Sequence, residues 1–256
     1  MSNFYLTLPS NSSMELYPDN TLAHYVTKLP QRIELDGQWE VGLVEIQYPH
    51  SWYNIPEDCD RQMTIMHTLD SGLIETNIFH IPPGYYKPET LLERIKSLAT
   101  YAATIQTSAA GQDIIKLEYD EVDQTYVCDL RGYMLDVGPH VASLLGLDNT
   151  YFPRGPHRGR TAINADPIYS LYIYSDLVEP RVVGDVMAPL VRIVPVLGKH
   201  GENIMKSYEN VHYIPLQRRS FETVEIDIKD RTGKTVPFER GTLNVTLHFR
   251  RRRRVL

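Results

Sequence analysis

Apolar residues recur with period two near both ends of the chain. Phe4, Leu6 and Leu8 alternate with polar neighbours over Asn3–Leu8, and Leu243–Phe249 (LNVTLHF) does the same. A period of two places alternate side chains on opposite faces of an extended strand, so both ends predict half-buried strands. Between them lie further runs of the same kind: His24–Leu29, Trp39–Tyr48, Ile168–Tyr174 (IYSLYIY), Leu190–Val196 (LVRIVPV) and Thr223–Lys229 (TVEIDIK). Turn formers bound them, with Pro9-Ser10-Asn11-Ser12-Ser13 after the first, Asp36-Gly37 before Trp39, and Asp230 to Gly233 after Lys229. In WEVGLVEIQY, strict alternation puts Val41, Leu43, Glu45 and Gln47 on one face and Val44, Ile46 and Tyr48 on the other. Apolar groups on both faces predict a central strand.

The middle reads differently. Met63–Thr68 and Ile74–Ile81 flank Asp70-Ser71-Gly72 as a hairpin, and Pro82-Pro83-Gly84 forces a bend. Leu91, Leu92, Ile95 and Leu98 then fall at helical spacing behind Pro88-Glu89. Short strands follow at Ile114–Tyr119 and Tyr126–Asp129, and Val141 to Leu147 predicts a second helix closing at Gly146. The simplest architecture is a β-sandwich built from the N- and C-terminal strands, with an α+β domain inserted between them. The expected divisions are 1–58 and 166–249 for the sandwich, 59–165 for the insertion and 250–256 for a basic C-terminal tail. Two consecutive domains are the alternative.

Charge separates the body from the tail. The chain carries 26 Lys and Arg against 32 Asp and Glu, a formal −6. Setting aside Arg250, Arg251, Arg252, Arg253 and Arg254 leaves 21 − 32 = −11 for the rest. An acidic body repels nucleic acid, so the five arginines are the candidate polyanion contact. Three readings of them stand: neutralising packaged nucleic acid, nuclear targeting, or a solvated terminus. Such a density of like charge predicts an extended tail unless an anion orders it.

Catalytic patterns are missing from the sequence. It contains no GxSxG, P-loop, GxGxxG, HExxH or EF-hand pattern, and nine His are scattered without metal-ligand spacing. Cys59 and Cys128 form no CxxC pair, so no disulfide framework, metal or cofactor is expected. The N-terminus shows no leader pattern and no run reaches the length of a membrane helix, so a soluble protein without catalytic, cofactor-binding or metal residues is the expectation. Candidate contact residues are Trp52 and Tyr53, either core or inter-subunit anchors, and Arg154, Arg158 and Arg160 in a Gly- and Pro-rich stretch. Segments 149–166 and 198–208, polar and Gly-punctuated, are candidate contact loops.

Several long segments are similar to a known family. FYLTLPSNSS, Thr27 to Ile55 (TKLPQRIELDGQWEVGLVEIQYPHSWYNI), Leu171 to Val196 (LYIYSDLVEPRVVGDVMAPLVRIVPV), and FETVEIDIKDRTGKTVPFERGTLNVTLHFRRR resemble penton-like minor capsid proteins of Polinton/Maverick elements and adintoviruses. IPPGYYKPETLLERI and VASLLGL resemble the same family. The resemblance implies a single jelly roll with an insertion, a homopentamer at capsid vertices, contact with a double-jelly-roll major capsid protein, and residence in the virion after assembly inside the host cell, the nucleus included. It also implies a structural protein and not an enzyme. The rival expectation is a β-sandwich module that binds nucleic acid or carbohydrate.

Overall fold

The computed structural model describes residues 3–69, 71–107, 115–152, 155–166 and 168–252. Asp70, Ile114, Arg154, Arg253 and Arg254 of the sequence expectations therefore lie outside the described residues. The chain divides into two compact units, Met1–Trp52 with Ile168–Leu256, and Tyr53–Pro167. The divisions at 52/53 and 167/168 differ from the expected 58/59 and 165/166. Local bonding explains the first shift: Ile55 exchanges backbone hydrogen bonds with Gly84, which ties residues 53–58 to the inserted segment.

The first unit opens with β1 (Asn3–Pro9), β2 (His24–Glu34) and β3 (Trp39–Pro49). The second unit follows with β4 (Gln62–Thr68), β5 (Ile74–His80), α1 (Pro88–Thr107), β6 (Lys116–Asp120), β7 (Thr125–Asp129), β8 (Met134–Asp136), α2 (Gly138–Leu145) and β9 (His157–Arg158). The chain then returns to the first unit as β10 (Ser170–Ser175), β11 (Arg181–Val183), β12 (Val186–Ala188) and β13 (Leu190–Pro195). It ends with β14 (Asn203–Ser207), β15 (Ile214–Pro215), β16 (Ser220–Lys229) and β17 (Asn244–Arg251).

In the first unit one sheet runs β1-β17-β3-β14, with β15 also on β3, and a second runs β13-β10-β16-β2. Among the eight long strands each pairs with the one equally far from the other end of the unit. The first pairs the last (Phe4↔Phe249), β2 pairs β16, β3 pairs β14, and β10 pairs β13, all antiparallel. A ribbon folded in half and wound into two sheets gives this order, which is the jelly roll. Its core is apolar: Tyr25, Val41, Leu43, Ile46, Tyr48, Trp52, Ile173, Val194, Ile226 and Phe249 are all buried. Phe249 stacks on Phe4 at 4.6 Å, and the Tyr25 hydroxyl reaches across to donate to the Leu8 carbonyl. Burial drives the Tyr25 phenol well above its ordinary range.

β3 is central, but not for the reason its composition suggests. Thr246 opposes Glu45 while Leu247 opposes Leu43, so Val44 is an extra residue in a β-bulge. The bulge flips the phase. Trp39, Val41 and Leu43 face the core before it, and Ile46 and Tyr48 face the same core after it. The apparent two-faced apolar run is one inward face with a step in it, and Val44 is only partly buried.

In the second unit β5-β4-β8 and β6-β7-β9 form small sheets. Leu91, Leu92, Ile95 and Ala99 of α1 are buried in its core beside Met63, Ile65, Leu117 and Leu135. α2 begins with a Pro in its first turn and closes on Gly146, whose φ of 67° is left-handed. A Cβ there would also lie 2.9 Å from the Thr161 Cβ, so glycine serves both backbone and packing. Asn54 is buried and joins three segments of this unit. Its amide donates to the carbonyls of Tyr86 (2.7 Å) and Ala165, and its Oδ1 accepts from the Tyr86 N–H (2.9 Å).

Candidate functional site

The basic end of the chain is the first candidate, and its described arginines are exposed yet ordered along the sheet. β17 continues through Arg251, because Arg250 and Arg251 keep pairing with Glu40 and Trp39 of β3. Arg250 Nε lies 2.6 Å from Glu40 Oε1, directly across the ladder, and its guanidinium sits 3.4 Å from the centre of the Tyr213 ring. The Tyr213 hydroxyl is 2.7 Å from His248 Nδ1, to which it donates when the neutral ring carries its proton on Nε2, and His248 stacks on Tyr5 at 4.4 Å. Partial burial, and then the neighbouring Arg250 charge, hold His248 below its ordinary pKa. Arg251 points the other way and its guanidinium lies 5.9 Å from the Trp39 ring, while the Arg252 N–H donates to the Gln38 carbonyl at 2.9 Å. Three of the five arginines are thus joined to the sheet, and a protein carboxylate is one of the anions that orders them.

The other predicted contacts separate. Trp52 is fully buried, stacked on His50 at 4.2 Å and edge-on to Phe238 at 5.6 Å, so it packs the core and offers no surface. Tyr53 is half-buried. Arg158 is an internal clamp: it lies 2.8 Å from Asp120 and bonds Asp123, bracketing the β6–β7 turn where Asp120 also accepts the Val122 and Asp123 N–H groups. Arg160 is exposed beside a shallow depression lined by Tyr126, Asp148, Asn149, Tyr151 and His157. The 198–208 segment, expected as a loop, holds β14; the described part of the 149–166 stretch has the two residues of β9 and a single Tyr151–Asp136 bridge in extended pairing.

Two features of the jelly roll go beyond what the sequence predicts. β11 and β12 form a hairpin that pairs as a strand with neither large sheet among the described residues, with a two-residue Gly184-Asp185 turn. It exposes Val182 (74%), Val186 (56%) and Met187 (63%). Val-Val-Gly-Asp-Val-Met is a recognisable hairpin signal, two short β-branched runs around a Gly-Asp pair. The second feature is an open groove lined by Phe4, Leu6, Ile33 and Trp39, with Arg32, Glu34, Asp36 and Arg251 as its rim charges. It exists because β2 loses register with β16 between Lys28 and Ile33, where Leu29 to Arg32 loop away from the ladder around Pro30, a residue with no N–H to donate. Among the described residues no group of three or more His, Cys, Asp or Glu is placed to hold a metal ion.

No protein-family model matches this sequence, and no curated protein is significantly similar to it. Solved structures do share its fold. The crystal structure of the mavirus penton protein superposes with a TM-score of 0.54 over 98% of this chain and 99% of that one, at 10% identity. A chain of the Sputnik virophage, solved by cryo-EM, gives 0.51 over 98% of each chain at 12% identity. The likeness extends over the whole chain, so it includes the inserted unit as well as the jelly roll.

Proposed function

We propose that this chain is a structural penton subunit: a minor capsid protein that assembles as a homopentamer at the vertices of an icosahedral, virus-like capsid. The observation that carries the reading is the end-to-end correspondence with the mavirus penton protein, 98% of one chain on 99% of the other, so that the segment inserted between the third and fourth long strands of this chain is matched along with the jelly roll. A likeness that takes in both units is a more particular trait than the jelly roll alone. The surface supports it too, since exposed apolar groups gather on a hairpin and in a groove suited to protein contacts. The sequence likeness to pentons of Polinton/Maverick elements and adintoviruses points the same way. In this reading the partners are four further copies and a double-jelly-roll major capsid protein, the location is the virion, and the role is structural, with no reaction catalysed.

Mass photometry of the purified chain tests it. The expected result is a closed species of five times the monomer mass. A monomer at micromolar concentration, unchanged by adding the cognate major capsid protein, refutes the proposal. The tail belongs to the same reading. Arg252 to Arg254 supply charge for packaged DNA, while Arg250 is held by Glu40. Replacing Arg252–Arg254 with Ser is expected to flatten the salt dependence of DNA binding, by about 0.9 in log–log slope for each phosphate that is no longer neutralised, without dissociating the pentamer. An unchanged slope removes DNA from the list of partners.

A further inference from the structure

A ring of identical subunits needs a heterologous contact, in which one flank of each copy fits a different flank of the next. The jelly roll places β1 and β2 at one flank, as the Tyr25–Leu8 hydrogen bond between them records. It places β13 and β14 at the other, where the Tyr48 hydroxyl of β3 reaches the Pro195 carbonyl. The groove opens at the β1/β2 flank. The β11–β12 hairpin lies in the connection between β10 and β13, and the Arg181 side chain at its start donates to the Val191 carbonyl of β13, on the opposite flank.

The two features also lie at the same end of the sandwich. Leu35 donates to the Arg219 carbonyl, Leu216 to Trp39, Glu179 to Pro215, and Arg252 to Gln38. These backbone bonds gather the β2–β3 turn, the start of the hairpin connection, the β15–β16 segment and the end of β17 into one rim. A rotation about an axis along the sandwich therefore keeps hairpin and groove at one height. That condition has to hold for a ring to close.

Chemistry adds to geometry. A lone two-stranded hairpin is marginal in water unless something packs on it, and this one turns Val182, Val186 and Met187 outward. The groove offers Phe4, Leu6, Ile33 and Trp39 as an apolar floor. Asp185 at the hairpin tip and Arg251 on the groove rim are both exposed, and among the described residues neither has an ion-pair partner. We infer that the β11–β12 hairpin of one copy seats in the β1/β2 groove of the next, with Val182 and Met187 against Phe4, Leu6 and Trp39, and Asp185 facing Arg251. This rests on the ring-assembly reading above and names the contact that closes the ring.

Two measurements on the full chain test it together. The first is assembly by mass photometry. Val182→Asp with Met187→Asp is expected to raise the concentration at half-assembly by at least about tenfold, the share of affinity that one well-packed anchor supplies. Asp185→Arg is expected to weaken assembly, and Arg251→Asp in the same chain to restore it. The second uses a Cys59→Ser background, in which Asp185→Cys copies are mixed with Arg251→Cys copies and treated with a short bismaleimide. A cross-linked dimer, absent from either copy alone, is expected, and it needs no variant that disturbs packing. If the wild type forms rings, the Val182/Met187 variant forms them equally well and no cross-link appears, this contact is overturned while the ring stands. If the wild type stays monomeric and no cross-link forms, both readings fall.

Discussion

Replacing Asn54 with Ala removes the side chain that holds three segments of the inserted unit together. The loss can be worked from its bonds. Two donated hydrogen bonds, to Tyr86 and Ala165, and one accepted from the Tyr86 N–H disappear at a position only 3% exposed. The two donated bonds contribute about 1 kcal/mol net each, and the Tyr86 N–H left buried without a partner costs about 1–3 kcal/mol in place of that average. The expected destabilisation is about 3–5 kcal/mol, which for a domain of roughly 100 residues lowers Tm by about 12 °C or more. Thermal unfolding supplies the overall figure, and native-state hydrogen exchange at the Tyr86 amide places it in this unit. Asn54→Asp sharpens the test, because the carboxylate keeps one acceptor but faces two carbonyls it can no longer serve. Its folded pKa should rise above the unfolded value of about 3.9. The deficit is then smallest below about pH 4 and grows as pH rises through the folded pKa. A change below about 1 kcal/mol for Asn54→Ala, or a pH trend of opposite sign for Asn54→Asp, would refute the reasoning.

Three further outcomes follow from the geometry. Gly42→Ala places a Cβ 2.5 Å from Val211 Cγ1 and 2.6 Å from the His212 carbonyl oxygen, so urea unfolding should show a loss of about 1–3 kcal/mol. His248 has a folded pKa below its unfolded value, so its contribution is complete above about pH 6.5 and declines as pH falls. His248→Gln should flatten the stability profile between about pH 7 and pH 5, and a profile as steep as wild type would exclude this assignment. Cys128 is buried and its thiol is pushed up to about 11, whereas Cys59 is half-buried. A maleimide at neutral pH should label Cys59 first and reach Cys128 only on unfolding, as peptide mapping would show.

Long alternating strands are legible in the sequence. β1, β2, β16 and β17 stand out because one face is buried and the other wet, and α1 because Leu91, Leu92 and Ile95 share one helical face. β14 is hidden for a physical reason: of Asn203–Ser207 only Ile204 and Lys206 turn toward partial cover, so no apolar period exists to detect. The Val44 bulge is hidden because a one-residue insertion converts regular alternation into what looks like a two-sided run. Site residues are harder still. Trp52 and Arg158 stand out by residue type, and type alone does not separate a buried ring from an exposed one or a guanidinium paired within its own chain from one available to a partner. The groove depends on β1 meeting β2 beside a register break, a long-range event that no local window contains.

The pairing of β17 also sets a timetable. Asn3 to Pro9 pair with Arg250 to Asn244, among the widest separations the chain allows, and β17 lies between β1 and β3, not at an edge. During synthesis β1 and β3 emerge early but cannot become neighbours in their sheet until β17 fills the place between them. Pairings so distant in sequence make folding slow, and until then Phe4, Val41 and Leu43 lack their final partner Phe249 or its neighbours. A chain stopped before Asn244 would therefore lose the middle of a sheet instead of a dispensable edge. The rim that holds the groove would be missing with it, so an unfinished copy would lack the groove as well as the sheet.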